Sequence, residues 1–350
     1  MPHADHHPLP PPLRAARDDT PYHPRPFRAA WWLRHPHAQT VAGRLLRPLD
    51  LMPLERERVE TTDGDFIDLD WTPEPERAGA DAAPIALVLH GLEGSARRGY
   101  AYLTYRELAR VGIRGVGLNF RSCSGEPNRL PRFYHSGDTG DLREVLALLR
   151  DRHPQRRILA VGFSLGGNVL LKYLGEESDG AALDAAVAVS VPYDLDAGER
   201  HLQRDPVSRF YVRHFLESLQ AKAAAKGEAL NDACDVPRIH AARSFRDFDD
   251  AATAPLHGFR SAEHYYQDSS SARFLRRIRR PTLLIHALDD PFLPPEALPR
   301  DQVRDNPWLS AAFTQHGGHV GFIGGPPWRP RFWAESEAAR FLSTRMEPAA

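Results

Sequence analysis

The sequence predicts an α/β fold: a mostly parallel central sheet flanked by helices, with a partly helical insertion. Three observations lead there. From residue 85 onward, short apolar runs alternate with helical stretches, the pattern of βα units with right-handed crossovers. Gly162-Phe163-Ser164-Leu165-Gly166 lies between one such run and one such helix. The alternation stops between about residues 196 and 279 and then resumes.

Taken in order, residues 1–26 are dense in Pro and His, including His3, His6 and His7. Prolines at that density hold neither helix nor central strand, so the stretch reads as a mobile or extended arm. Its histidines lack rigid metal-ligand spacing and read as a solvated tail. Residues 27–49 hold Phe27, Trp31, Trp32, Leu33, Leu45 and Leu46, and read as a covering element. The same aromatic pair leaves peripheral contact with a membrane surface open. Residues 55–72 alternate apolar and polar around Asp63-Gly64, a hairpin signal, and residues 73–83 form a Pro/Ala/Glu linker.

Strands are then expected at 85–89, 113–120, 157–161, 185–191, 282–285 and 310–314. Helices are expected at 98–111, 138–152, 167–174 and 331–344. The core therefore comprises residues 27–195 and 280–350, and residues 196–279 form a cap over the C-terminal edge of the sheet, where ligands of open α/β sheets lie.

Composition narrows the function. The 350 residues are 42% hydrophobic, ample for a large core, and 45 basic against 46 acidic residues give a net charge of −1. That balance excludes an electrostatic nucleic-acid binder. Two cysteines, Cys123 and Cys234, exclude a disulfide framework and a Cys-based zinc site. No apolar run approaches the length of a membrane span, and the N-terminus lacks the order of a secretory signal, so a cytoplasmic protein is expected.

Strand, then G-x-S-x-G, then helix is the setting of a nucleophile elbow. A sharp turn forces Ser164 into strained dihedrals and lifts its hydroxyl clear of the sheet edge. A serine needs a base to take its proton, and the base needs a third group to hold it. Asp289 and Asp290 end the apolar run Leu283-Leu284-Ile285-His286-Ala287-Leu288 and put a carboxylate in register with the elbow. Asp290 is chosen and Asp289 is the alternative, with a turn or cap role for whichever does not react. His319, in the Gly-rich run after the last strand, is the expected base, with His316 as competitor. Leu165 and Leu92 are expected to supply the two N–H groups of an oxyanion hole, with His90 supporting the Leu92 loop.

Several runs carry a resemblance over nearly the whole chain from residue 26. They are Trp31 to Thr40, His90 to Gly94, Asn119 to Asn128, Tyr134 to Gly137, Gly162 to Asn168, Thr253 to Phe259, and Asp289 to Phe292. Together they resemble the α/β-hydrolase superfamily. More narrowly, they are similar to its YheT-type branch, which includes the ABHD1/ABHD3-like hydrolases and the plant embryogenesis-associated proteins. Ser122 departs from that pattern, where the family usually has glycine. The resemblance implies hydrolysis of carboxylic esters through Ser164, Asp290 and His319, with no metal and no organic cofactor. Eukaryotic relatives act on lipid esters, so a small-molecule ester is the expected partner. The alternatives are acyl transfer by the same residues, or a non-catalytic binding protein on a hydrolase scaffold.

Overall fold

The computed structural model describes residues 22–76 and 83–346. The strands are β1 (Glu55–Glu60), β2 (Phe66–Trp71), β3 (Ile85–Leu89), β4 (Arg114–Asn119), β5 (Ile158–Phe163), β6 (Ala185–Val189), β7 (Thr282–Ala287) and β8 (Leu309–Thr314). They form an eight-stranded sheet in the order β1-β2-β4-β3-β5-β6-β7-β8. β1 and β2 are the antiparallel hairpin, and β3 through β8 run parallel. The order reverses at β3, whose neighbours are β4 and β5, so a crevice opens at the C-terminal ends of β3 and β5.

The helices are α1 (Pro36–Leu45), α2 (Gly99–Arg110), α3 (Gly140–Arg152), α4 (Leu165–Glu177), α5 (Leu195–Leu202), α6 (Pro206–Lys226), α7 (Val236–Ala241), α8 (Phe245–Phe248), α9 (Ala254–Leu256), α10 (Ala262–Ser269), α11 (Arg300–Asp305) and α12 (Trp333–Ser343). Strand residues alternate between two cores. Leu87, Leu89, Val116, Leu118 and Ala160 point to the layer of α3 and α4, where Leu142, Leu146, Val169 and Leu170 meet them. Val88, Leu159, Val161, Val187 and Ile285 point to the layer of α2 and α12, against Tyr105, Leu108, Ala338 and Phe341. Strands buried on both faces read as continuous apolar runs, which is why they were legible. Each fully buried Leu or Ile contributes about 1.5–3 kcal/mol over its exposed state.

The segment between β6 and β7 holds α5 to α10 and its own small core, in which Val212, Leu216, Ile239 and Phe248 pack with Phe133. Its longest helix, α6, starts cleanly: Asp205 accepts from Val207 N (2.9 Å) and Ser208 N (3.0 Å), and Pro206 takes the first turn. Asn168 on α4 ties the segment down, donating to Ser269 O (2.7 Å) and accepting from Ser271 N (3.0 Å).

Some boundaries move. The strand expected at 185–191 ends at Val189, because Ser190 takes a positive φ of 52° and turns the chain out of the sheet. Arg331–Phe332 is not helical: it pairs as β10 with β9 (Ile323–Gly324), and α12 begins at Trp333. Most of the N-terminal arm, residues 1–21, and part of the linker, residues 77–82, lie outside the described residues. Residues 22–26 run without helix or strand and are pinned to α12, with Tyr22 OH donating to Glu337 (2.7 Å) and Arg25 Nε likewise (2.8 Å). The aromatic pair divides: Trp32 Nε1 donates to Gly325 O (3.0 Å), while Trp31 stands 67% exposed.

Candidate functional site

Ser164 occupies the turn between β5 and α4 at φ 50°, ψ −118°, a region ordinary side chains avoid at a cost of about 1–3 kcal/mol. Small neighbours make the turn possible. A Cβ on Gly162 would lie 2.7 Å from Gly166 O, and one on Gly166 would lie 2.5 Å from His90 O. The backbones of β3, β5 and α4 therefore meet where no side chain fits.

Three of the expected residues converge. His319 Nε2 lies 2.9 Å from Ser164 Oγ, and His319 Nδ1 lies 3.1 and 3.0 Å from the two oxygens of Asp290. The Asp290 carboxylate is fully buried, and Phe292 N donates to it (2.8 Å). Burial alone would raise its pKa, but the charge and hydrogen bond of His319, then the Phe292 N–H, outweigh burial and hold it below the usual carboxylate range. An ionised Asp290 accepts the Nδ1 proton, which leaves the Nε2 lone pair facing the serine hydroxyl.

Asp289 does not join this row. It accepts from Gly318 N (2.9 Å) and meets His316 Nδ1 (3.1 Å), so it caps the loop that carries His319. That loop takes positive φ at Gly318 (58°) and Val320 (56°). α1 brackets it: Thr40 Oγ1 accepts from His319 N (2.9 Å), and a Cβ on Gly318 would strike Pro36 O at 2.5 Å. Buried Gln39 holds the next residues through both Ile323 N (2.8 Å) and Ile323 O (3.0 Å). Arg47 reaches Val320 O (2.6 Å) and is itself paired with buried Glu335 (2.6 Å).

On the other side lies the loop after β3. Gly91 N donates to Tyr100 OH (3.0 Å), Glu93 N to Tyr134 OH (2.8 Å), and Gly94 N to Gly91 O (3.0 Å). The Leu92 N–H donates to nothing among the described residues, nor does that of Leu165 at the first turn of α4. A Cβ on Gly91 would stand 3.8 Å from Ser164 Oγ, so this loop borders the hydroxyl. His90 accepts from Phe120 N at Nε2 (3.1 Å) and gives its Nδ1 proton to Gly91 O (2.7 Å). Burial pushes its pKa down to about 3, so it is a neutral brace for the loop. Ser122, the departure from the expected glycine, has φ 61°, and its hydroxyl repays the strain through Asn128 Oδ1 (2.5 Å).

Two features escaped the sequence reading. The Phe292 ring stacks on His319, and His286 stands behind Asp290, its Nε2 3.5 Å from Oδ2. Burial drives the His286 pKa down to about 4, so it too is neutral. Phe292 falls within the motif run Asp289 to Phe292, whereas His286 is an inward residue of a buried strand and carries no local signal. Metal-ligating chemistry among the described residues gathers at His135, Asp138 and His257, whose ligand atoms lie within 4.8 Å of one another. Arg132 already donates to Asp138 (2.7 Å) and Gly137 N to His135 Nδ1 (3.1 Å), and the Arg132 cation opposes a second one.

A sequence family described as the alpha/beta hydrolase fold matches residues 84–326. YheT of Escherichia coli is 41% identical over 313 residues, covering 89% of this chain and 91% of that protein. Phospholipase ABHD3 of Mus musculus is 30% identical over 316 residues, 89% of this chain and 77% of that one. Monoacylglycerol lipase of Saccharomyces cerevisiae is 35% identical over 276 residues, 77% of this chain and 61% of that one. Among solved structures, an esterase from Pyrococcus furiosus superposes with a TM-score of 0.55 at 18% identity, covering 93% of this chain and 97% of that one, a likeness of fold.

Proposed function

The chain belongs to the α/β-hydrolase family, in the branch of YheT and ABHD3, and from that premise we propose that it is a serine hydrolase of carboxylic esters. The observation that carries the reading is the contact of His319 Nε2 with Ser164 Oγ at 2.9 Å, with Asp290 on the opposite ring nitrogen.

In this reading His319 takes the Ser164 proton as the oxygen attacks the ester carbonyl. The negative oxygen of the tetrahedral intermediate faces the Leu92 and Leu165 N–H groups, at the positive end of α4. His319 then gives its proton to the departing alcohol, and a water activated by the same imidazole releases the acid. Asp290 stays ionised throughout and steadies the imidazolium. Residues 196–279 cover the site as a cap, and the names of the lipase and phospholipase relatives support an acyl ester as substrate. The reaction needs no metal or organic cofactor. Both cysteines are free, in keeping with a cytoplasmic location.

A fluorophosphonate probe is expected to label the folded protein at Ser164 and to leave Ser164→Ala unlabelled. Asp290→Asn is expected to lower kcat on p-nitrophenyl esters by about 10⁴, through the wrong imidazole tautomer, and Asp289→Asn by less than about tenfold. Labelling that persists in Ser164→Ala, or an Asp289→Asn loss larger than that of Asp290→Asn, overturns the assignment. A series of esters from acetate to palmitate reads the acyl length that the cap accepts.

A further inference from the structure

We propose that the protein docks on anionic lipid surfaces through the joined outer ridges of α1 and α6. Large exposed hydrophobic side chains are normally scattered singly over a soluble surface. Here they are gathered. Val41, Leu45, Leu46 and Leu49 stand 41–74% exposed on α1 and the turn that leaves it, and Val207 and Phe210 stand 47% and 57% exposed at the start of α6. The other two among the described residues are Trp31, just before α1, and Trp328, at 83%. Trp328 belongs to the β9–β10 loop, tied to the same N-terminal segment by Trp32 Nε1 on Gly325 O.

The two ridges share one face. His37 Nδ1 meets Tyr211 OH at 3.1 Å, and Arg44 meets His214 Nε2 at 3.0 Å, with Val41 between them on the α1 side. The charge on this face is of one sign. Residues 31–49 contain Arg34 and Arg44, with buried Arg47, and no Asp or Glu; residues 206–216 contain Arg209 and Arg213, and again no Asp or Glu. This holds in a chain with 46 acidic residues in 350. Carboxylates appear only at the margins: Asp50, Asp205 occupied as the cap of α6, and Glu217, 4.0 Å from Arg213.

Apolar side chains rimmed by arginines, with carboxylates only at the margin, fit the boundary between acyl chains and anionic headgroups. A second copy fits poorly. A two-fold interface would set this patch against itself and oppose arginine to arginine, with only Asp205 and Glu217 at its margin, the one capping α6 and the other already beside Arg213, to receive them. The face also adjoins the site. Thr40 of α1 holds His319 N, and the Tyr211 ring of α6 lies 5.3 Å from Phe292, which stacks on His319. A docked surface would thus lie beside the imidazole, so that esters reach it from the lipid layer; this last step rests on the hydrolase reading, whereas docking itself does not.

The test is flotation of the full chain with vesicles of phosphatidylcholine, alone or mixed with phosphatidylglycerol. Binding is expected to the mixed vesicles, weakening as salt rises. Leu45→Glu with Phe210→Glu is expected to weaken it at least tenfold at an unchanged melting temperature, and Arg44→Gln with Arg213→Gln about tenfold. Absence of flotation with the mixed vesicles overturns docking, whatever the esterase assay gives. So does a concentration-dependent dimer that the Leu45/Phe210 variant abolishes, since a second copy would then cover the face.

Discussion

The ring of Phe292 lies flat on the imidazole of His319, with centroids 4.0 Å apart and planes 3° from parallel. The backbone N–H of Phe292 also donates to the Asp290 oxygen that faces the same imidazole (2.8 Å). One residue thus orients both the proposed base and its carboxylate. A stacked aromatic face favours a cation over a neutral ring by about 0.5–2 kcal/mol, so it steadies His319 most when it carries the serine proton. Phe292→Leu keeps the backbone hydrogen bond and removes the π face. It is expected to lower kcat three- to tenfold, by about that energy, with KM nearly unchanged. Equal loss in KM would mean that Phe292 contacts substrate instead.

The fold and the central row were legible because both follow from local pattern. β3, β5 and β7 are buried on both faces and wrote themselves as apolar runs, and Ser164 was marked by glycines that no side chain could replace. The choice between Asp289 and Asp290 was not fixed by the residues themselves, since both end the same strand. Geometry separates them: one oxygen pair turns to His319 and the other to Gly318 and His316. The bracket made by Thr40, Gln39 and Arg47 joins positions some 280 apart in sequence, such as Gln39 to Ile323 (|i−j| 284), and no periodicity reports such pairs. α1 was therefore read as cover, while in the structure it also holds the loop of His319.

Asp249 gives the insertion a pH dependence. Its carboxyl accepts from Thr253 Oγ1 (2.5 Å) and Tyr266 OH (2.8 Å), and burial raises its pKa to about 7 against that donation. The folded-state pKa is above the unfolded value. Stability from this group is therefore complete below about pH 4 and is lost as pH rises to about 7, because the unfolded chain ionises first. Asp249→Asn removes the dependence. Its melting temperature relative to wild type is expected to climb between pH 4 and pH 8 by roughly 10 °C, the response of a large domain to the ~4 kcal/mol that a shift from 3.8 to about 7 carries. A constant difference across that window would mean that Asp249 ionises normally in the folded protein.

Lys222 connects the insertion to the loop of the proposed oxyanion donor. Its ammonium, on α6, donates to Glu93 Oε1 at 2.7 Å, and Ser218 one turn earlier donates to the other oxygen. Tyr134 OH donates to the same carboxylate (2.9 Å) and accepts from Glu93 N (2.8 Å), holding Glu93 at φ 52°. Leu92 precedes Glu93, so the direction of the Leu92 N–H depends on this clamp. Removing an oxyanion donor outright costs ~10²–10³ in turnover, and loosening one costs less. Lys222→Met keeps the aliphatic stem packed and removes the charge. It is expected to lower kcat about tenfold with KM changed less than about twofold, because the misplaced amide matters only once the oxyanion forms. Lys222→Arg, which can still donate to Glu93, is expected to recover part of the loss. A variant that raises KM alone, or an arginine that restores nothing while the melting temperature is normal, would remove Lys222 from this role and leave it a plain tie between α6 and the core.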